Sequence, residues 1–114
     1  MNVEYYREYC LSKKGVTESF PFDNTTLVFK VGGKMFALAD IDSFISINLK
    51  CGPEQAIDLR ERFDGIKPGW HMNKKHWNTV EVNSDVSSNK ILELIDHSYE
   101  LVLNSLTKKK REEL

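Results

Sequence analysis

The chain has 114 residues, with sixteen Lys and Arg against seventeen Asp and Glu, a formal net charge of -1, and 40% hydrophobic and 29% charged residues. That length suits one compact domain without room for two ordinary cores, and the composition is globular rather than disordered. Balanced charge argues against a generalised polyanion binder, so any nucleic-acid contact must rest on a local cationic patch.

Asn2 is placed to cap a first helix in which Val3, Tyr6, Cys10 and Leu11 recur at helical spacing. Lys13 and Lys14 suit its negative end, and Gly15 offers the stop. Residues 16–24, VTESFPFDN, read as a loop, with Pro21 holding Phe20 out of helical geometry. From Thr25 the period changes to two. TLVFKV and KMFALAD, joined by Gly32-Gly33, read as a hairpin, because glycine accepts the positive φ of a two-residue turn. FISINLK, from Phe44, is a third strand, with Ile45, Ile47 and Leu49 on one face and Ser46, Asn48 and Lys50 on the other.

Gly52-Pro53-Glu54 opens a second helix whose buried stripe is Ala56, Leu59 and Phe63. Gly65, Pro68 and Gly69 punctuate the next stretch. WNTVEV, from Trp77, alternates again: with Val80 and Val82 toward the core, Trp77, Thr79 and Glu81 point away from it. Residues 88–105 give the strongest helix, striped by Ile91, Ile95, Val102 and Leu106 and flanked by Leu94, Tyr99 and Leu103. The charged close TKKKREEL is expected to fray, leaving a domain of residues 1–106 and a tail of 107–114. Strands that succeed one another directly imply an antiparallel sheet. The expected class is therefore α+β, a two-layer sandwich with helices packed on one face.

No apolar run approaches the roughly 18 residues that read as a membrane span. The opening MNVEYYREY lacks a signal-peptide core. Cys10 and Cys51 sit in no CxxC or zinc-type spacing, so both read as reduced thiols of a cytoplasmic protein.

The densest chemistry lies in GWHMNKKHWNTV, residues 69–80, which holds both tryptophans and two of the three histidines. His71 and His76 are five apart, which does not put both imidazoles on one helical face, and no carboxylate or cysteine lies between them. No metal or cofactor is expected. A Cys51–His71 or Cys51–His76 pair could in principle activate a thiolate, but the chain has no GxSxG elbow and no phosphate-cradling glycine loop. The reading is therefore not an enzyme. Nucleic-acid contact fits better. Lys67, Lys74 and Lys75 suit phosphates, Asn73, His76 and Asn78 suit polar edges, and Trp70 and Trp77 offer stacking planes. Three phosphate contacts would give a salt slope of roughly -2.7. The same cluster also reads as a corner of the fold, with a tryptophan lying across the core's end and lysines merely solvated.

HMNKKHWNTV, preceded by KPGW, resembles the signature of the MmcQ/YjbR family. So do SFPF, TLVFKVGGKMFAL, INLKC, ELIDHSYELV and the closing KKKRE, a likeness running over about residues 3–112. The resemblance implies an α-β(3)-α-β(2)-α order, similar to secretion-chaperone-like and CyaY-like sandwiches, with KPGWHM at the fourth strand. Members are commonly labelled DNA-binding, and no catalytic residues travel with that label. Position by position, it marks His71, Asn73, Lys74, Lys75, His76 and Trp77, with Lys50 and Asn48 as neighbours. The expected molecule is a monomeric cytoplasmic binding domain contacting DNA weakly. The alternatives are a protein-interaction module, using an open sheet edge, and a ligand-binding domain with the Trp70–Trp77 region lining a pocket.

Overall fold

The computed structural model describes residues 1–114. In chain order they form α1 (Val3–Leu11), β1 (Val16–Ser19), β2 (Thr26–Val31), β3 (Lys34–Asp40) and β4 (Ser46–Lys50). Then come α2 (Pro53–Arg62), β5 (Ile66–Pro68), β6 (Trp77–Glu81), α3 (Ser88–Ser105) and α4 (Lys108–Glu112). The six strands make one antiparallel sheet in the order β1-β2-β3-β4-β6-β5, so the class is α+β.

Local chemistry explains most of the boundaries. Asn2 Oδ1 accepts the Tyr5 amide at 2.8 Å and opens α1; Ser87 Oγ accepts the Lys90 amide at 3.1 Å and opens α3. Pro53 takes the first turn of α2, where its missing N–H costs nothing. The β2–β3 hairpin turns on Gly32 (φ +58) and Gly33 (φ +82). A Cβ at Gly32 would also come within 2.5 Å of Leu106 Cδ1, so this turn lies hard against the end of α3.

One sheet face carries the main core. Leu27, Phe29 and Val31 of β2, Ile47 and Leu49 of β4 and Val80 of β6 meet Tyr6, Leu59, Ile91, Ile95 and Val102 from the helices. On β3 the alternation is broken by a bulge: Phe29 faces Ala37, but Lys30 faces Met35. Phe36 is the extra residue, and its ring joins Ala37 and Ala39 on the helix side instead of alternating away. There it meets Tyr99 edge-on, with centroids 5.4 Å apart. Ser98, buried on α3, donates to the Phe36 carbonyl at 2.5 Å and accepts the Lys50 amide at 2.9 Å. One hydroxyl thus ties the longest helix to two strands.

Four expectations are corrected. Residues 16–19 form an edge strand paired with Val28–Val31, not a loop. Val16 and Thr17 are β-branched, Glu18 is held to α1 by an Arg7 ion pair, and Pro21 bounds the strand without preventing it. The sheet accordingly has six strands instead of five. Ile45 is 67% exposed, because Phe44 adopts a left-handed φ of +43 and regular alternation starts only at Ser46. The strand expected over KPGWHM ends at Pro68. The closing residues form α4 instead of an irregular tail: Thr107 Oγ1 caps the Lys110 amide at 3.2 Å, and Leu114 packs back beside Gly15. No helix is long and apolar enough to cross a membrane.

Both the serine tie and the loop carboxylates can be tested by stability. Ser98→Ala leaves the Lys50 amide and Phe36 carbonyl without that partner. It should cost about 1–3 kcal/mol, read as a lower urea midpoint at unchanged slope. Acid gives the second prediction. Asp85 accepts the Gly65 and Asp64 amides, each at 2.8 Å, and these hold its carboxyl below the ordinary aspartate range. A lowered folded value means that the unfolded chain binds protons first as pH falls. The stability it contributes is complete above the ordinary range and lost as pH drops through the folded value. Asp85→Asn should therefore flatten the acid limb of a stability–pH curve measured by thermal melting.

Candidate functional site

Because strand side chains alternate, every second residue points away from the helices, and the register arranges those residues in rows. Thr26 lies beside Asp40, Ser46 beside Glu81, and Asn48 sits between Leu38 and Thr79. At the far end Lys30 lies beside Met35 and Lys50 beside Trp77. β2 and β4 run the same way, so this face is polarised. Asp40 marks one end, where Glu81 is paired with Lys67, and Lys30 and Lys50 mark the other.

The face is not bare. Val28, Leu38 and Trp77 form a second, small apolar cluster, closed over by Met35 and Met72. Met72 comes from the Gly69–His76 loop, which a polar chain fastens across the sheet. The Trp70 amide donates to Thr79 Oγ1 at 2.8 Å, and that hydroxyl donates to Asn48 Oδ1 at 2.5 Å. Gly69 N–H reaches the Trp77 carbonyl at 2.9 Å. A Cβ on Gly69 would lie 2.8 Å from Trp77 Cβ, so only glycine lets the backbone pass this close. His71 takes φ +57, a left-handed turn that throws its ring beside Trp70, with centroids 4.7 Å apart. From beneath, the Arg60 guanidinium of α2 donates through Nε to Asn78 Oδ1 at 2.7 Å and through Nη2 to the carbonyls of Lys74 and Trp77, the latter at 3.2 Å.

This geometry sorts the expected contact residues. Trp77 does face away from the helices, but at 8% exposure it is sealed under the loop and offers no stacking plane. Asn78 is buried on the helix side. Lys67 pairs with Glu81, and Lys74 Nζ donates to the Gly69 carbonyl at 2.7 Å. Asn73 Oδ1 accepts the Lys75 and His76 amides, which makes it a turn former. His76 is half-buried, its carbonyl accepting the Cys51 amide at 2.8 Å. Lys50 and Lys75 have ammonium groups with no ion-pair or hydrogen-bond partner, and His71 reaches the lip of a cleft. The stacking plane passes to Trp70, 69% exposed.

The cleft, about 480 Å³, opens on the acidic end of the face between Trp70, His71 and Met72 on one side and Phe22, Asp23 and Asp40 on the other. Sequence reasoning does not single out Phe22, Asp23, Asp40 or Arg60 as site residues. The run PFDN, an aromatic and an acid in a polar loop, is the available signal for the first two; nothing in α2 distinguishes Arg60 from its charged neighbours. As for thiol chemistry, burial pushes Cys51 up and Cys10 to about 12, which disfavours the thiolate in both.

Among known proteins, the YjbR family model matches residues 11–101. The chain is 31% identical over 112 residues to the uncharacterized protein YjbR of Escherichia coli K12, covering 97% of this chain and 95% of that one. It is 38% identical over 91 residues to the uncharacterized protein YbdF of E. coli O157:H7, covering 79% of this chain and 75% of that one. The crystal structure of Deinococcus radiodurans protein DR2400, with domain DUF419, superposes with a TM-score of 0.92 at 40% identity, over 98% of this chain and 86% of that one.

Arg60→Met tests the anchoring of the loop. It strands a buried amide oxygen and two carbonyls, so stability should fall by about 2–4 kcal/mol. Trp77 should at the same time become accessible to acrylamide, and Arg60→Lys should not restore its protection, since one ammonium cannot span the fork.

Proposed function

The chain belongs to the YjbR family, and from that premise we propose that it is a small binding domain acting through the helix-free face of its sheet and the Gly69–His76 loop. The observation that carries this reading is the contrast between faces. Helices cover one, while the other presents an exposed indole on a loop anchored from both sides. Binding is preferred over catalysis because the thiols are held protonated and the cleft carboxylates already accept backbone amides. Free, buried cysteines suit a reducing, cytoplasmic setting.

Within this reading DNA lies along the face, with Lys50 and Lys75 taking phosphates at its cationic end and Trp70, toward the other end, stacking on a base. Lys67 and Lys74, already engaged, contribute little. The protein-partner reading rests on β1, whose outer edge is unpaired; the opposite edge strand β5 contains Pro68, which has no N–H to offer.

Fluorescence anisotropy with a labelled oligonucleotide at low salt tests the DNA reading. Two phosphate contacts should give a log–log salt slope of about -1.4 for a single strand and about -1.8 for a duplex. Lys50→Gln with Lys75→Gln should flatten that slope, and Lys67→Gln with Lys74→Gln should change it far less. No binding to either form would remove DNA as the ligand, and a partner recovered by pulldown after nuclease treatment would favour strand pairing at β1.

A further inference from the structure

The cleft under Trp70 has chemistry opposite to that of a phosphate site. Its lip is aromatic: Phe22 is 63% exposed, Trp70 more so, and the His71 ring stands against the indole. Its wall carries Asp23 and Asp40, and Thr25 joins the two. The Thr25 amide donates to Asp23 Oδ1 at 2.9 Å, and its hydroxyl donates to Asp40 Oδ2 at 3.4 Å. Five ion pairs form elsewhere on the molecule, and none involves either carboxylate. The amides of Thr26 and Thr25 hold Asp23 below the ordinary aspartate range, so it stays ionised. Both carboxylates thus line one cleft, with no ion-pair partner on either, beside apolar surface that a ligand could cover.

We infer that this cleft binds a small organic cation, an amine or guanidinium on an aromatic or aliphatic body. The charged head sits between Asp23 and Asp40, while the body lies against Trp70 and Phe22. Aromatic faces attract cations as well as apolar groups, so the two halves of the site cooperate on one molecule. A volume of about 480 Å³ admits a molecule of that size. A bare divalent ion would gain nothing from the aromatic lip, and an anion would meet both carboxylates. The site lies at the opposite end of the face from Lys50; it shares Trp70 with the DNA reading but needs neither Lys50 nor Lys75.

The test uses the intact chain without nucleic acid. The Trp70 indole N–H resonance is followed by NMR during titration with phenethylamine, agmatine, neutral 2-phenylethanol, anionic phenylacetate and calcium chloride. Phenethylamine and agmatine should give saturable shifts centred on Trp70 and His71. Phenylethanol should bind at least about tenfold more weakly, and phenylacetate not measurably. Asp23→Asn with Asp40→Asn keeps the backbone-capping oxygens and should weaken the amine about tenfold or more. Trp70→Ala, a second variant that leaves both carboxylates in place, should weaken it as well. Glu93→Gln, on the far side of the molecule, should leave the titration unchanged. Equal affinity for phenethylamine and phenylethanol would overturn the assignment. So would an equal effect of calcium, or no saturable amine shift at about 10 mM, where even a millimolar site would be mostly filled.

Discussion

The helix-free face depends on one guanidinium. Arg60 reaches from α2, satisfies the buried Asn78 side chain and holds two carbonyls at the C-terminal end of the Gly69–His76 loop. A planar fork can do this where a single ammonium cannot, because its donors diverge at fixed angles. The Asn78 amide group in turn donates to the Ala56 carbonyl at 3.4 Å, so helix, strand and loop share one polar junction. Buried polar groups destabilise when unpartnered, which makes such a junction all-or-none.

Above that junction the sheet is two-sided in an unequal way. The helix side has a large continuous core to which Phe36 is added by the β3 bulge; the open side has only Val28, Leu38 and Trp77 under two methionines. The small cluster still matters. It gives the loop an apolar floor, so the loop is held by burial as well as by the Trp70–Thr79–Asn48 chain. A loop fastened twice presents its exposed indole in a fixed place, and that lowers the ordering cost of binding.

How much of this is legible in the sequence depends on whether the signal is local. Helix α3 is legible end to end, because an eighteen-residue stripe and a serine cap are encoded where they act. The hairpin comes from Gly32-Gly33 and the faces of β4 and β6 from period two, which also puts Trp77 on the correct side of the sheet. Its burial is not legible, since the residue that covers it, Met72, acts through a loop whose path depends on Arg60. Strand β1 is hidden for a related reason: four residues ending near a proline carry little local signal, and the strand exists because Val31 and its neighbours offer an edge. Phe44 hides the true start of β4 by a backbone twist that no side-chain pattern announces. The lysines around NKKH stand out as a group, but each one's freedom is settled by a partner elsewhere: Glu81 for Lys67 before the loop, a carbonyl for Lys74, none for Lys75.

Ser46 and Lys50 stand at opposite ends of β4, which at the usual rise per residue puts the acidic and basic margins about 13 Å apart. The uncovered surface is therefore a directional one, like a short magnet laid along the strands. Any visitor carrying both signs of charge meets a single favourable heading, lengthwise, with its positive end toward Asp40 and its negative end toward Lys50.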